Sequence, residues 1–166
     1  GRSGMDLTRK YDNLLVVQTF SKSRAMAGMR IGFGVGNPEL IRALNNVKYS
    51  YNSYTMSLAA QRLGAAALKD QAYFEETRKK IISTREKAKK RLRELGFSFP
   101  DSMTNFIFAE HCRAEAGPMF RAMKEAGIYV RYFDKPGLDN RLRITIGTEE
   151  EMEQLYRFLE SYLADR

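Results

Sequence analysis

The sequence contains few of the residues that build most disulfides and metal sites. Cys112 is the single cysteine and His111 the single histidine among 166 residues. One cysteine cannot close an internal disulfide or supply a cysteine-rich zinc site, and one histidine excludes most histidine-based metal sites and Ser-His-Asp triads. We therefore expect no metal centre, and we interpret His111 as a polar residue at a strand end and Cys112 as a structural thiol.

Long apolar runs are also missing. No run approaches the roughly 20 residues that span a bilayer, and residues 1–13 lack the apolar core of a signal peptide. We therefore expect a cytoplasmic protein with no membrane partner. Apolar residues make up 43% and charged residues 29% of the chain, which are proportions of a folded globular protein rather than of a disordered or collagen-like one.

The charge is strongly basic, with 28 Lys and Arg against 20 Asp and Glu and a formal net charge of +8. Many of the basic residues fall in residues 78–93, RKKIISTREKAKKRLR, where Ile81, Ala88 and Leu92 recur at helical spacing. This pattern indicates an amphipathic helix with a solvated basic face. No RNP-type motif, zinc finger or basic zipper accompanies the charge, so we expect no nucleic-acid partner.

Hydrophobic periodicity organises the first half of the chain. Residues 14–18, LLVVQ, form a short apolar run that is typical of a strand buried on both faces, as in a parallel sheet. Residues 30–36 read as the next strand, followed by a helix with Asn37 as its N-cap and Pro38 in its first position. The remaining predicted elements are a loop at 49–55 and helices at 57–69 and 71–95, the second closed by Gly96.

After Gly96 the pattern changes to short strands that alternate with helices, which predicts a small α+β domain. Thr148 and Glu151 have the spacing of a capping box and predict the start of a terminal helix. The other predicted elements of this half are strands within 97–110, 128–133 and 141–147, and a helix through Met119 and Met123.

The segment at 19–36, TFSKSRAMAGMRIGFGVG, carries the most chemistry. Hydroxyls at Thr19 and Ser21 flank Lys22, and Arg30 follows eight residues later. An anionic group held by hydroxyls and a guanidinium, beside a lysine that acts as a nucleophile, is one interpretation. A polar connection between strands with one surface lysine is the other. The spacing alone leaves both open.

This segment resembles the lysine region of fold-type I pyridoxal-phosphate aminotransferases, and within them of the histidinol-phosphate aminotransferases. The resemblance continues through KYSYNSYT at 48–55, and the later TNFIF, GIYVR and LRITIGTEEE follow in the family's order. It implies an α/β fold that corresponds to the C-terminal portion of such a transferase. Residues 1–75 would be part of the large, mixed-sheet, cofactor-binding domain, and residues 76–166 the small C-terminal α+β domain.

The resemblance also implies roles for four residues around the cofactor, pyridoxal 5'-phosphate. Lys22 would bind the cofactor covalently and then carry a proton to and from the substrate α-carbon. Ser21 and Arg30 would bind the cofactor phosphate, with Thr19 a weaker candidate. Arg24 has no assured role in the family, and a solvated side chain and a further phosphate neighbour are both open.

Two arginines of the second half match substrate-binding residues of the family. Arg143 matches the arginine that binds the substrate α-carboxylate, a task for which a planar, two-pronged donor is suited. Arg141 lies on the same strand face, so spacing alone does not choose between them. Arg131 matches a second substrate arginine, and its alternative is an exposed arginine at a strand end.

The function implied by the resemblance is transamination between glutamate or 2-oxoglutarate and a phosphorylated amino alcohol, histidinol phosphate, in histidine biosynthesis. A homodimer is implied too, with exposed apolar surface on roughly the first 75 residues. The family's aspartate and tyrosine at the cofactor ring precede the matched region, so we expect a C-terminal part that is inactive alone. The alternatives are a threonine-phosphate decarboxylase, another aminotransferase, or a non-catalytic interaction module.

Overall fold

The structure, a computed structural model, describes residues 3–164. The chain divides into two compact units, Gly1–Glu76 and Thr77–Arg166. This division lies one residue beyond the boundary predicted from the sequence. Each unit has its own sheet and its own buried cluster of apolar side chains. No helix in residues 3–164 combines the length and the apolar character needed to cross a membrane.

The first unit is built on a two-stranded antiparallel sheet. Strand β1, Leu15–Thr19, pairs with β2, Gly32–Gly36, with Leu15 opposite Gly36 and Thr19 opposite Gly32. The connection holds only one turn of helix, α1 at Phe20–Ser23, and a 3₁₀ turn at Ala27–Met29. The remaining elements of this unit are a 3₁₀ turn at Gly4–Arg9 and the helices α2, Pro38–Tyr51, and α3, Leu58–Lys69.

The prediction of a parallel, doubly buried strand at 14–18 is wrong. Strand β1 runs antiparallel to β2, and its Val17 side chain is 65% exposed. A parallel pair needs a crossover connection that returns the chain to the same end of the sheet. The connection at residues 20–31 instead reverses the chain, so the two strands run in opposite directions.

The helices of this unit begin at the predicted caps. The Asn37 side chain accepts a hydrogen bond from the Glu39 N–H at 2.8 Å, with Pro38 in the first turn of α2. Ser57 accepts one from the Ala60 N–H at 3.1 Å at the start of α3. The predicted loop at 49–55 is wrong in its first three residues, because α2 continues through Tyr51. Its helical hydrogen bonding ends with the Asn52 N–H, which donates to the Lys48 carbonyl at 2.8 Å.

The first unit buries few apolar side chains. Its core consists of Phe20, Ile31 and Ala60, with three methionines packed against them. The expectation of exposed apolar surface on roughly the first 75 residues is confirmed. The exposed large apolar residues of this unit are Leu7, Tyr11, Val17, Phe33, Leu44, Val47, Tyr49, Tyr51, Tyr54, Leu58, Leu63, Leu68 and Tyr73.

Helix α4, Gln71–Glu94, is the predicted long basic helix, and it is followed by Gly96 with a left-handed φ of 85°. The sequence predicted that the basic face of this helix is solvated, and this prediction is wrong for two of its residues. Lys89 is buried and pairs with Glu86 at 3.0 Å and Asp101 at 2.7 Å, and a Lys89 hydrogen bond to Asp101 raises its pKa. Arg85 is also buried and donates to the Thr104 carbonyl at 3.1 Å.

The second unit is a four-stranded antiparallel sheet covered by helices. The strand order is β3, β4, β6, β5, with all pairs antiparallel. The core lies on one side of the sheet, where Ile107, Ala109, Leu142 and Ile144 are buried. The elements are β3 Phe97–Ser98, β4 Phe106–His111, α5 Ala116–Glu125, β5 Arg131–Tyr132, β6 Leu142–Thr145 and α6 Glu149–Ala164.

The predicted capping box is present before α6. The Glu151 N–H donates to the Thr148 hydroxyl at 3.2 Å, and the Thr148 N–H donates to the Glu151 carboxylate at 2.7 Å. Two orphan N–H groups at the start of the helix are thereby satisfied. The apolar stripe of α6 then enters the core through Met152, Leu155 and Leu159.

His111 is a structural residue at the end of β4, as expected. Its Nδ1 accepts hydrogen bonds from the N–H groups of Arg113 at 3.2 Å and Ala114 at 2.9 Å. Because Nδ1 accepts, the ring proton lies on Nε2, which donates to the Leu95 carbonyl at 3.0 Å. Burial, with a smaller contribution from the charge of Arg113, lowers the pKa of His111, so the folded protein favours the neutral ring.

We expect the protein to lose stability as the pH falls from 7.5 to 5.5. The pKa of His111 is lower in the folded than in the unfolded protein, so the unfolded chain binds more protons as the pH falls through about 6.5. The free energy of unfolding, measured by urea denaturation, should therefore decrease across this range. His111→Asn, whose amide oxygen replaces Nδ1 as an acceptor, should flatten the dependence. An equal slope in the variant would contradict the assignment.

Candidate functional site

Lys22 lies on a single turn of helix between the two strands of the first unit. Its side chain is exposed, while the preceding Phe20 is buried. Thr19 is the extended residue before the turn, and its carbonyl accepts a hydrogen bond from the Ser23 hydroxyl at 3.1 Å. The turn therefore presents the lysine amine outward from a buried aromatic base.

Helix α3 supports this turn through a close approach at Gly64. The Phe20 N–H donates to the Ile31 carbonyl at 3.0 Å, which joins the two ends of the connection. A Cβ atom added at Gly64 would lie 2.8 Å from Ile31 Cδ1 and 3.8 Å from Phe20 Cε2. Only glycine allows this spacing without displacing Ile31. Ala60, one helical turn earlier, completes the buried cluster.

Two residues of the same connection have a left-handed backbone. Ala25 has φ of 53° and Arg30 has φ of 55° with ψ of 38°, and no other non-glycine residue in 3–164 has positive φ. Each such conformation costs roughly 1–2 kcal/mol for a residue with a Cβ atom. The Arg30 side chain donates to the Ala27 carbonyl at 2.8 Å, so its guanidinium is folded onto its own turn. Packing elsewhere must hold this strained geometry, which is common at functional sites.

The predicted cofactor residues all lie on or beside this connection. Thr19, Lys22 and Arg30 are exposed and Ser21 is half-buried. Residues 19–36 contain no Asp or Glu, and no carboxylate in the described part of the chain forms an ion pair with Lys22 or Arg30. The connection therefore presents hydroxyls and uncompensated positive charge, which suit a phosphorylated ligand.

A second group of cationic side chains lies on the sheet of the other unit. On the side of the sheet opposite the core, β6 carries Arg143, and Arg141 directly precedes the strand. Arg131 on β5 is the direct neighbour of Arg143 across the strand pair. Aromatic rings lie beneath the guanidinium groups. We call this surface the arginine face; it consists of Arg131, Arg141, Arg143, Phe106, Phe108 and Phe133.

Arg141 and Arg143, which sequence spacing could not distinguish, have different partners in the structure. Arg141 Nε donates to the Glu110 carboxylate at 2.8 Å. Arg143 has no such partner in residues 3–164, and its Nε is buried without a hydrogen bond. An unsatisfied buried donor is unfavourable. Arg143, which is half-buried, is therefore the arginine of the two whose charge has no carboxylate partner in residues 3–164. Its role in binding the substrate stays a prediction.

Phe133 is a residue of this surface that the sequence reasoning missed. Its ring lies 5.3 Å from the Arg131 guanidinium carbon and 5.9 Å from that of Arg143, and it contacts Phe108 edge to face at 6.1 Å. Cation–π contacts of this kind hold a guanidinium plane without neutralising its charge. The signal available in the sequence was the spacing of two from Arg131, which places both side chains on one side of a strand.

Arg24 packs against helix α3 and the start of α4. Its guanidinium carbon lies 4.2 Å from the centre of the Phe74 ring, and its two Nη groups donate to the Ala67 carbonyl and to the Gln71 side chain. The side chain is half-buried by these contacts. Within residues 3–164 no group of three or more metal-binding side chains is present.

Comparison with known proteins identifies the family of the chain. The family model described as aminotransferase class I and II matches residues 3–159, which is nearly all of both units. The chain belongs to the aminotransferase class I and II family. This membership confirms the resemblance carried by the lysine segment and the α/β fold class that it implied.

Individual members of the aminotransferase family cover the same region. The chain is 52% identical over 151 residues to histidinol-phosphate aminotransferase of Brachyspira hyodysenteriae, covering 91% of this chain and 43% of that relative. The structure of histidinol-phosphate aminotransferase from Clostridium acetobutylicum matches with a TM-score of 0.89 at 23% identity, over 99% of this chain and 50% of that one. At that identity the likeness shows the fold alone.

A third comparison is with histidinol-phosphate aminotransferase from Sinorhizobium meliloti, solved in complex with pyridoxal-5'-phosphate. It matches with a TM-score of 0.77 at 28% identity, over 93% of this chain and 42% of that one. The chain therefore spans about half the length of the relatives it matches.

We expect Arg143→Met to raise the free energy of unfolding by about 1 kcal/mol, because it removes an unsatisfied buried donor and a like charge opposite Arg131. The methionine chain still packs on Phe106 and Phe133. The matched variant Arg141→Met loses the half-exposed pair with Glu110 and should lower stability by roughly 0.2–1 kcal/mol. Urea denaturation of both measures the difference, and an Arg143→Met protein less stable than Arg141→Met would contradict this account.

Proposed function

We propose that this chain forms part of a pyridoxal 5'-phosphate-dependent aminotransferase that exchanges an amino group between glutamate and the phosphorylated substrate of histidinol-phosphate aminotransferases. The observation that carries the proposal is the exposed Lys22 amine on a packed turn, among hydroxyls and an unpaired arginine and without a nearby carboxylate in its segment. The 52% identity to a histidinol-phosphate aminotransferase supports the choice of substrate.

The residues around Lys22 fit the cofactor by their chemistry. The Arg30 guanidinium and the hydroxyls of Thr19 and Ser21 are donors for a dianionic phosphate. When bound, the cofactor supplies an electron sink that acidifies the α-carbon of the substrate. Lys22 Nζ would hold the cofactor through a covalent bond. It would then accept the α-proton of the substrate and return a proton to complete the transfer.

The arginine face fits the substrate. Arg143 would bind the α-carboxylate through two parallel N–H donors of its half-buried guanidinium, which has no carboxylate partner in the described residues. Arg131, directly opposite on β5, would contribute to binding the second anionic group. Two arginines side by side without carboxylate partners are unfavourable by themselves, and a ligand with negative charge removes that repulsion.

The assembly of the active enzyme is part of the same proposal. We propose a cytoplasmic homodimer, in which further polypeptide, corresponding to the rest of the relatives' length, completes the cofactor site. The exposed apolar side chains of Gly1–Glu76 support this assembly, because surfaces of this kind mark protein–protein contacts. The 166-residue chain alone is expected to be inactive.

Replacing Lys22 by alanine tests the proposed role of this residue. The full-length protein that carries this chain should develop a visible absorbance band with pyridoxal 5'-phosphate, and borohydride should attach the cofactor to Lys22, as seen by peptide mass. Lys22→Ala should lose both signals and lower transamination by at least about a thousandfold, because it removes both the covalent anchor and the proton carrier.

The control is Lys10→Ala, an exposed lysine outside the connection, which should keep the band. Cofactor attached elsewhere in the wild-type protein would contradict the role of Lys22. A substrate panel separates the alternatives, since loss of CO2 from phosphothreonine would favour a decarboxylase. Strong transamination by the 166-residue chain alone would overturn the expected requirement for further polypeptide.

Arg143→Gln should raise KM for the amino-group donor by about tenfold to a hundredfold, because a charge-assisted bidentate contact with its carboxylate is lost. Arg141→Gln should change KM little, since that arginine already pairs with Glu110. Steady-state kinetics with glutamate measures both values. A larger effect on KM at Arg141 than at Arg143 would contradict the proposal that Arg143 binds the carboxylate.

A further inference from the structure

Arg24 makes three contacts that hold the Lys22 turn from its C-terminal side. One Nη group donates to the Ala67 carbonyl and the other to Gln71 Oε1 at 3.3 Å. The guanidinium plane lies over Phe74, with 4.2 Å between its carbon and the ring centre. Gln71 in turn donates to Glu75 at 3.3 Å, so the contact continues into the first turns of α4.

The partners of Arg24 suit a guanidinium better than any other side chain. Ala67 lies in the last turn of α3, where carbonyl oxygens lack partners within the helix and carry the negative end of the helix dipole. A planar fork donates to the helix end and to Gln71 at once, while its face remains free to stack on Phe74. A lysine at this position would supply a charge without the second donor direction.

The Lys22 turn needs support of this kind because it cannot stabilise itself. Four residues are far too few for an independent helix. The turn is followed at once by Ala25, whose left-handed φ of 53° is unfavourable. Phe20 fixes the N-terminal side of the turn in the buried cluster. Arg24 is the side chain that fixes the other side.

We propose that Arg24 is a positioning residue for Lys22. By joining the turn to the C-terminal end of α3 and to Phe74, it holds the backbone that presents the lysine amine. In this role the Arg24 guanidinium is engaged by α3 and α4, through Ala67, Gln71 and Phe74, rather than by the cofactor phosphate. The consequence for catalysis rests on the proposed function of Lys22, while the anchoring of the turn does not.

The test compares Arg24→Gln with Arg62→Gln in the full-length protein. Arg62 is an exposed arginine on α3, so its replacement matches the loss of charge without touching the turn. The first readout is hydrogen exchange of the amides in 20–26, where Phe20, Arg24 and Met26 donate to backbone carbonyls. The second is the fraction of Lys22 labelled by pyridoxal 5'-phosphate and borohydride at limiting cofactor, together with the pH midpoint of the absorbance band.

Arg24→Gln should speed exchange of the 20–26 amides about tenfold and lower Lys22 labelling about tenfold, because a charge-assisted bond and a cation–π contact are lost. Arg24→Lys should recover part of both effects. The band midpoint should shift in Arg24→Gln and stay unchanged in Arg62→Gln, an effect that a general loss of stability would not produce. Phe74→Leu removes one contact alone and should give a smaller change in the same direction, which keeps the test available if Arg24→Gln does not fold.

Unchanged exchange in 20–26 with Arg24→Gln or Phe74→Leu would overturn the anchor. Faster exchange with unchanged labelling and an unchanged midpoint would overturn the positioning of Lys22. If the wild-type protein itself shows no labelling at Lys22, the proposed cofactor function fails, and the exchange measurement alone still decides whether Arg24 anchors the turn.

Discussion

The site in the first unit depends on the close approach of the lysine connection to one face of α3. Ala60, Gly64 and Ala67 lie at positions i, i+4 and i+7 of that helix, so they form one stripe along it. Ala60 and Gly64 pack against Phe20 and Ile31, and the Ala67 carbonyl accepts a hydrogen bond from Arg24. A Cβ atom at Gly64 would require the end of the Ile31 side chain to move, and Ile31 is the residue whose carbonyl accepts the Phe20 N–H at the base of the Lys22 turn.

The arginine face depends instead on the register of β6. Leu142 and Ile144 enter the core, so the residues between and beside them point to the opposite side of the sheet. Because side chains alternate with a period of two, a slip of one residue would bury both arginines and expose the core positions. The apolar core thus specifies where the charges lie. In the first unit, where few side chains are buried, hydrogen bonds and the close contact at Gly64 position the Lys22 turn instead.

Local features of the fold were predictable from the sequence because they depend on neighbouring residues. The caps at Asn37 and Ser57, the box of Thr148 and Glu151, and the glycine after α4 all follow from such short-range chemistry. The proposed roles of Lys22, Arg30 and Arg143 come from a motif rather than from local physical chemistry. Burial in residues 3–164 then distinguished Arg143 from Arg141, since only one of them has a carboxylate neighbour.

The failures concern contacts between residues that are distant in sequence. The direction of β1 relative to β2 depends on how a connection folds, and an apolar run looks the same in either orientation. Lys89 lies in a basic run and was therefore predicted to be solvated, but it forms an ion pair with Asp101. Arg24 contacts Ala67 and Phe74, which lie more than forty residues away in the sequence. Neither composition nor periodicity contains that information.

The cross-strand pair of Arg131 and Arg143 has a consequence for how the protein meets its surroundings. Two guanidiniums on adjacent strands attract any small dianion, whatever its identity. Sulfate and phosphate from a buffer compete for the same donors, and dissolved salt weakens the attraction over a screening length of about 8 Å at physiological ionic strength. If the proposed substrate binds at this surface, its measured affinity will depend on the salt and the anions of the buffer as well as on the protein.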